Sequence, residues 1–169
     1  MKKQKGFSLI ELLIVVAIIL IIAAIAIPNL LRSKMAANEA SAVGSVRTVN
    51  TAEVTYSSSW GIGYSVDLPS LVTGGGAGAC TASSTSACLI DPVLSSGTKS
   101  GYTFLAAGTL PVNGINNGFE VNATPASVGT TGQRAFCSDQ SGVIRFNTTG
   151  AAIGVAAGNC AAVPTALGN

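Results

Sequence analysis

One carboxylate in this chain stands where a carboxylate is costly. Every residue from Leu12 to Ile27 is apolar, and Leu9 and Ile10 extend the run to about the 17 to 25 residues that cross hydrocarbon as a helix, with Glu11 as its one acid. An acid at that depth costs on the order of 2.5 to 3.5 kcal/mol, so Glu11 needs either a positive partner or an interfacial position from which it reaches water. The preceding residues, Lys5-Gly6-Phe7-Ser8-Leu9-Ile10, supply a partner. Cleavage after Gly6 would leave a positive amine on Phe7, and residues four apart share a helix face. The amine and Glu11 would then lie one turn apart, free to attract within a chain or between neighbouring chains.

Elsewhere reactive groups are sparse. There is no histidine, only 9% of residues are charged, and no P-loop, nucleophile elbow or phosphate-binding glycine fingerprint occurs, so no acid and base pair can be assembled. The expectation is a non-enzyme without a cofactor. Cys80, Cys88, Cys137 and Cys160 lack the histidines and the C-x-x-C spacing of a metal site, and a redox-active pair is disfavoured too. On the outward side of a membrane they read as disulfides, with three connectivities open. Asp139 reads as turn chemistry, without EF-hand spacing around it. Asn122-Ala-Thr and Asn147-Thr-Thr match the N-glycan acceptor tripeptide, which is a weak signal.

The elements that would position these groups follow from periodicity. Pro28 removes a backbone donor and crowds the carbonyl of Ala24, which makes it a candidate helix hinge, with Gly44 a second soft point. Residues 29–57 continue as an amphipathic helix, its stripe of Leu31, Met35, Ala42, Val46, Val49 and Tyr56 facing a sheet. Arg32, Lys34, Asn38, Glu39, Arg47 and Glu53 fall mostly on the other, solvated face. Residues 57–101 form a long connection rich in turn signals, GGGAG among them, with Trp60, Tyr64, Leu68 and Leu71 as packing anchors. Short strands are expected at Tyr102 to Ala106, Phe119 to Ala123, Arg134 to Ser138 and Val143 to Asn147, with a hairpin turn over Asp139 to Gly142. The predicted fold class is α+β: a long N-terminal helix, membrane-spanning in its first half, packed on a small antiparallel sheet of about four strands.

Charge orients the chain. Of nine basic residues, Lys2, Lys3 and Lys5 precede the apolar run and stay cytoplasmic by the positive-inside rule, leaving six against seven acids in the remainder. That remainder has no basic face, so no specific nucleic-acid binding is inferred. A secretory signal cleaved near AAIAIP would leave Glu11 and the Gly6 to Phe7 junction without a role.

Lys5, Gly6, Phe7, Ser8, Leu9, Ile10 and Glu11, with Pro28 near the end of the apolar run, resemble the N terminus of type IV pilins. The resemblance is strong over about Met1 to Ser57 and looser beyond. It implies a leader at 1–6, a transmembrane and filament-core helix at 7–28, an amphipathic helix at 29–57, and a head at 58–169 with an αβ loop and a disulfide-closed C-terminal region. It implies that a prepilin peptidase cuts between Gly6 and Phe7 and methylates the Phe7 amine, and that Glu11 pairs with this amine on an adjacent subunit. Its partners would be copies of itself, an inner-membrane platform with a motor ATPase, and an outer-membrane channel. The location would be the inner membrane before assembly and a surface pilus afterwards, and adhesion, twitching motility or DNA uptake are all compatible. Cys80 with Cys88 is favoured because it closes a local loop, and Cys137 with Cys160 because the family ties its last strands to its tail. A major subunit is favoured over a minor pilin. The alternatives are a pseudopilin of a type II secretion system and, from a different class, a monomeric membrane-anchored binding domain indifferent to changes at Glu11.

Overall fold

The computed structural model describes residues 8–72 and 80–168. They fall into two compact units that divide between Lys34 and Met35. The GGGAG stretch, together with Gly6 and Phe7, lies outside the described residues.

Helix α1 runs from Leu9 to Trp60, 52 residues with Pro28 inside it. Its side of the second unit, from Met35 on, is amphipathic in the expected way: Ala42, Val46, Val49 and Tyr56 are buried at three-, four- and seven-residue steps. Leu31 of the predicted stripe is exposed, because it lies N-terminal to the stretch that packs on the head.

Five antiparallel strands form one sheet in sequence order: β1 (Thr98–Lys99), β2 (Tyr102–Val112), β3 (Ile115–Pro125), β4 (Ala135–Asp139) and β5 (Arg145–Asn147). This is the α+β arrangement expected, with one short strand more than the four foreseen. β2 and β3 are also longer than anticipated, since Asn113 and Gly114, both at positive φ (52° and 80°), turn one into the other. Asn-Gly at two positive-φ positions is the turn that matches strand twist in a two-residue hairpin. The turn after β4 forms as expected, Asp139 accepting from the backbone N–H groups of Ser141 and Gly142.

Register assigns the two sheet faces. Phe104 opposes Ala123, Ala106 opposes Val121 and Ala123 opposes Phe136, and these side chains join Val46, Val49 and Tyr56 in one core. The opposite face carries Glu120, Asn122, Cys137 and Asp139, paired across β3 and β4. Asn122 is buried there, which removes it as a glycan acceptor. Trp60, Tyr64, Leu68 and Leu71 pack onto the core as anchors, Tyr64 with its ring 5.0 Å from that of Phe119. A four-residue 3-10 turn at Leu68–Leu71 is capped by Asp67, and the short helix α2 (Pro92–Ser95) by Asp91.

Both sheet edges are partly covered. Residues 66 and 67 run along β2, with Gly108 N–H donating to Val66 and Asp67 bridged to Ala107. Residues 165–167 run along β5, where Phe146 N–H donates to Thr165 and Leu167 N–H to Ile144.

The helix is clamped to the sheet by one ion pair. Glu39 accepts from the backbone N–H groups of Gln133 and Arg134 (2.9 and 3.1 Å) and from the Arg134 guanidinium (2.9 and 2.8 Å), which also lies over the rings of Phe136 and Phe146. Burial works against the charged carboxylate, but the Gln133 and Arg134 donors outweigh it and hold the Glu39 pKa below its usual 4.5. A carboxyl with a depressed folded pKa stabilises the fold above its unfolded pKa and loses that contribution as pH falls through the folded value. Glu39→Gln should therefore destabilise the detergent-solubilised chain at neutral pH by roughly 1.5 to 3 kcal/mol, the usual worth of hydrogen bonds to a charged group. The gap from the unsubstituted chain should close as pH falls through the depressed Glu39 pKa, read as the difference in thermal midpoint across a pH series.

Candidate assembly interface

The first unit is unlike a core helix. From Leu9 to Ile27 every large apolar side chain is exposed, on all sides of α1, and the segment is long and apolar enough to cross a membrane. A helix apolar all round must be covered by lipid or by other helices, because water cannot be its resting environment.

Glu11 sits at the start of this helix. Leu12 N–H donates to the Ser8 carbonyl, making Ser8 the cap that precedes α1, and the Ser8 N–H donates to Glu11 Oε2 at 2.9 Å. This is half of a capping box, in which the carboxylate three residues in satisfies the backbone donor of the cap. The positive end of the helix dipole favours the same charge there. Glu11 Oε1 has no hydrogen-bond donor among the described residues, so one carboxylate oxygen stays available to an incoming amine. The predicted cleavage junction, Gly6 to Phe7, lies outside the described residues. From sequence, Ser8 counts only among the residues that carry the pilin resemblance, although the spacing Ser8-Leu9-Ile10-Glu11 also carries the S-x-x-E signal of a helix start.

α1 passes through Pro28 as continuous helix, and Ser33 Oγ bonds back to the Asn29 carbonyl one turn below. Proline has no N–H for the Ala24 carbonyl, so the helix there runs with one hydrogen bond fewer than its neighbours.

In the second unit two glutamates face inward. Glu53, expected on the solvated face, is fully buried: Ser65 donates its backbone N–H (2.9 Å) and its hydroxyl (2.6 Å) to it. Glu120 accepts from the Cys160 N–H at 2.9 Å, with the N–H groups of Gly158 and Asn159 nearby. Burial raises the pKa of both, and the donors only partly offset it; the neighbouring Asp67 and Asp139 add repulsion. Each acid holds a long loop, the first the segment after α1, the second the C-terminal loop lying over the outer sheet face. Burial of Glu53 was not legible because its partner is twelve residues away, across a turn.

The cysteines are joined as Cys80 to Cys88 and Cys137 to Cys160. The second pair is fully buried and fastens the C-terminal loop to β4, beside Glu120. Among the described residues no group of three His, Cys, Asp or Glu side chains converges as a metal site would require.

Comparison with known proteins places the similarity at the N terminus. The family described as the prokaryotic N-terminal methylation motif matches residues 1–27. A similar protein is the type IV wide pilus major component PilA4 of Thermus thermophilus, 62% identical over 39 residues. The matched stretch is 23% of this chain and 30% of that relative, so the chain spans under a third of the curated protein it matches. No solved structure matches. The two matches support the type IV pilin resemblance of this N terminus on separate grounds.

Pro28→Ala restores a donor for the Ala24 carbonyl. Proline inside a helix costs about 3 kcal/mol relative to alanine, so amide exchange over the turn that precedes residue 28 should slow at least tenfold in detergent micelles. Hydrogen exchange followed by mass spectrometry checks it; unchanged exchange would mean that the turn is held from outside the helix.

Proposed function

We propose that this chain is a structural subunit of a type IV pilus, polymerising through its N-terminal apolar helix into an extracellular filament. The observation that carries the reading is a helix apolar on every side with one carboxylate at its start, inside a matched methylation motif. The helix is stored in the bilayer as a span and then covered by equivalent helices of other copies. The same apolar surface serves both environments, because lipid tails and leucine side chains solvate it alike.

Gly6 and Phe7 flank the processing point in this reading, a prepilin peptidase cutting between them and methylating the Phe7 amine. Glu11 then directs entry of the subunit. Its free oxygen takes the Phe7 amine of an adjacent copy, which neutralises both charges within the apolar bundle and sets the axial register. Pro28 serves as the hinge, and the two disulfides keep the head folded outside the cell, where such bonds persist. The remaining machinery, an inner-membrane platform with its motor ATPase and an outer-membrane channel, follows from the resemblance. A major subunit is favoured over a minor pilin or pseudopilin, since the similar Thermus protein is a major component of a wide pilus.

Shearing cells and identifying the abundant fibre protein by mass spectrometry tests this. Abundant fibres whose subunit begins at N-methylated Phe7 are expected; processed protein confined to the envelope would point to the pseudopilin or minor-pilin alternative. Glu11→Ala should leave cleavage and methylation intact while lowering fibre yield at least tenfold. Undiminished fibres from that variant would fit a monomeric anchored domain instead.

A further inference from the structure

Two exposed features of the head lie at different levels along α1. The first is a groove between the helix and the end of the sheet. Two adjoining hollows, about 350 and 330 Å³, share Arg47 and Leu167; Val143 and Ile144 line the first beside Ser141, and Ala40 and Val43 the second beside the Glu39–Arg134 ion pair. The helix beside the groove is reduced to Ala36, Ala40 and Gly44, all exposed. A side chain at Gly44 would meet nothing within 4 Å, so no contact within the chain accounts for a glycine that costs about 0.5 to 1 kcal/mol in a helix interior. Arg47 is exposed, and its guanidinium has no hydrogen-bond or ion-pair partner among the described residues, although its carbonyl accepts from Thr51.

The second feature is the tip of the β2–β3 hairpin. Leu110, Val112 and Ile115 are 49%, 59% and 41% exposed on a turn fixed by two positive-φ residues. This tip stands at the far end of the head's helix, because Tyr64 N–H, just beyond the end of α1, donates to the Asn116 carbonyl. Arg47 and Trp60 are thirteen residues apart on α1, about 20 Å at 1.5 Å per residue. Asp67, on the hairpin side, carries an exposed carboxylate with no cation partner among the described residues.

We infer that the groove around Arg47 receives the β2–β3 hairpin tip of a second copy of this chain. The apolar tip fills the hollows beside Val43 and Ile144, the small residues at positions 36, 40 and 44 admit its backbone, and the unpaired charges select the orientation. Stacking copies in the same direction brings the Asp67 end of one toward the Arg47 end of the next, whereas reversed stacking brings like charges together. A contact between two different surfaces of one chain is heterologous, and it builds an open filament when its rotation does not close into a ring. The inference rests on the pilus-subunit reading and supplies the head's share of the contacts.

The test places the photoreactive residue p-benzoylphenylalanine at position 112 of the full chain and maps its products in sheared, irradiated fibres. Crosslinks to residues 36–47 or 141–144 of another copy are expected. Val112→Asp should lower fibre yield at least tenfold, while Val93→Asp, at an equally exposed position outside the tip, should not; both should keep the thermal midpoint of the head. Fibres crosslinked elsewhere or not at all, or a Val112→Asp chain that assembles like Val93→Asp, would overturn the contact and leave the pilus reading standing. Absence of fibres from the unsubstituted chain would overturn that reading itself.

Discussion

α1 is one helix that has to satisfy two different solvents, and the rest of the structure is arranged around that demand. Up to Ile27 its apolar side chains point in every direction, so nothing on the same chain could cover them. From Ala42 to Tyr56 the apolar residues narrow to a stripe, and the sheet covers it. The narrowing is what lets one chain hold a folded head while leaving its first half free for lipid or for other helices. A helix with one stripe throughout would fold as an ordinary domain; one apolar throughout would leave the head without a polar side to its central element.

The head keeps its few carboxylates busy internally. Glu39 fixes the helix to the start of β4, Glu53 holds the segment after α1, and Glu120 holds the C-terminal loop. Asp67, Asp91 and Asp139 each organise a turn or cap. Such use explains how a chain with so few charges fastens long loops, because a carboxylate accepting from two or three backbone N–H groups ties down several residues at once. The cost is a set of acids held in poorly solvated places, and Glu53 and Glu120 show it in raised pKa values. A group with a raised folded pKa contributes most below its unfolded pKa and loses that contribution as pH rises through the folded value, opposite to Glu39. The head therefore carries opposing carboxylate terms, and no single group dictates its response to acid.

What was legible in the sequence was what depends on neighbours along the chain. The membrane-length run, the stripe at Ala42, Val46 and Val49, and the turn at Asp139 are local patterns, and each appears where the residues put it. The Asn113-Gly114 signal was equally local, and reading it would have extended β2 and β3 to their full eleven residues. The fates of Glu53 and Glu120 were not legible, because their burial is decided by residues brought in from far along the chain, Ser65 in one case and Cys160 in the other. Arg134 likewise looks like a surface cation until Glu39, Phe136 and Phe146 converge on it.

The sheet edges bear on how copies can associate. An open edge offers a row of unpaired N–H and C=O groups and invites another strand. Here residues 66 and 67 take up part of the edge at β2, and residues 165–167 take up the edge at β5, so strand addition is blunted on both sides. The hairpin tip adds Pro111, which has no N–H to offer a further strand. Association must then run through side chains and helix surfaces: the all-round apolar segment at one end of α1, and faces such as the one around Arg47 in the head. That division suits the pilus subunit proposed above, since helix surfaces can exchange lipid for neighbours without breaking a hydrogen bond, whereas a strand once paired cannot.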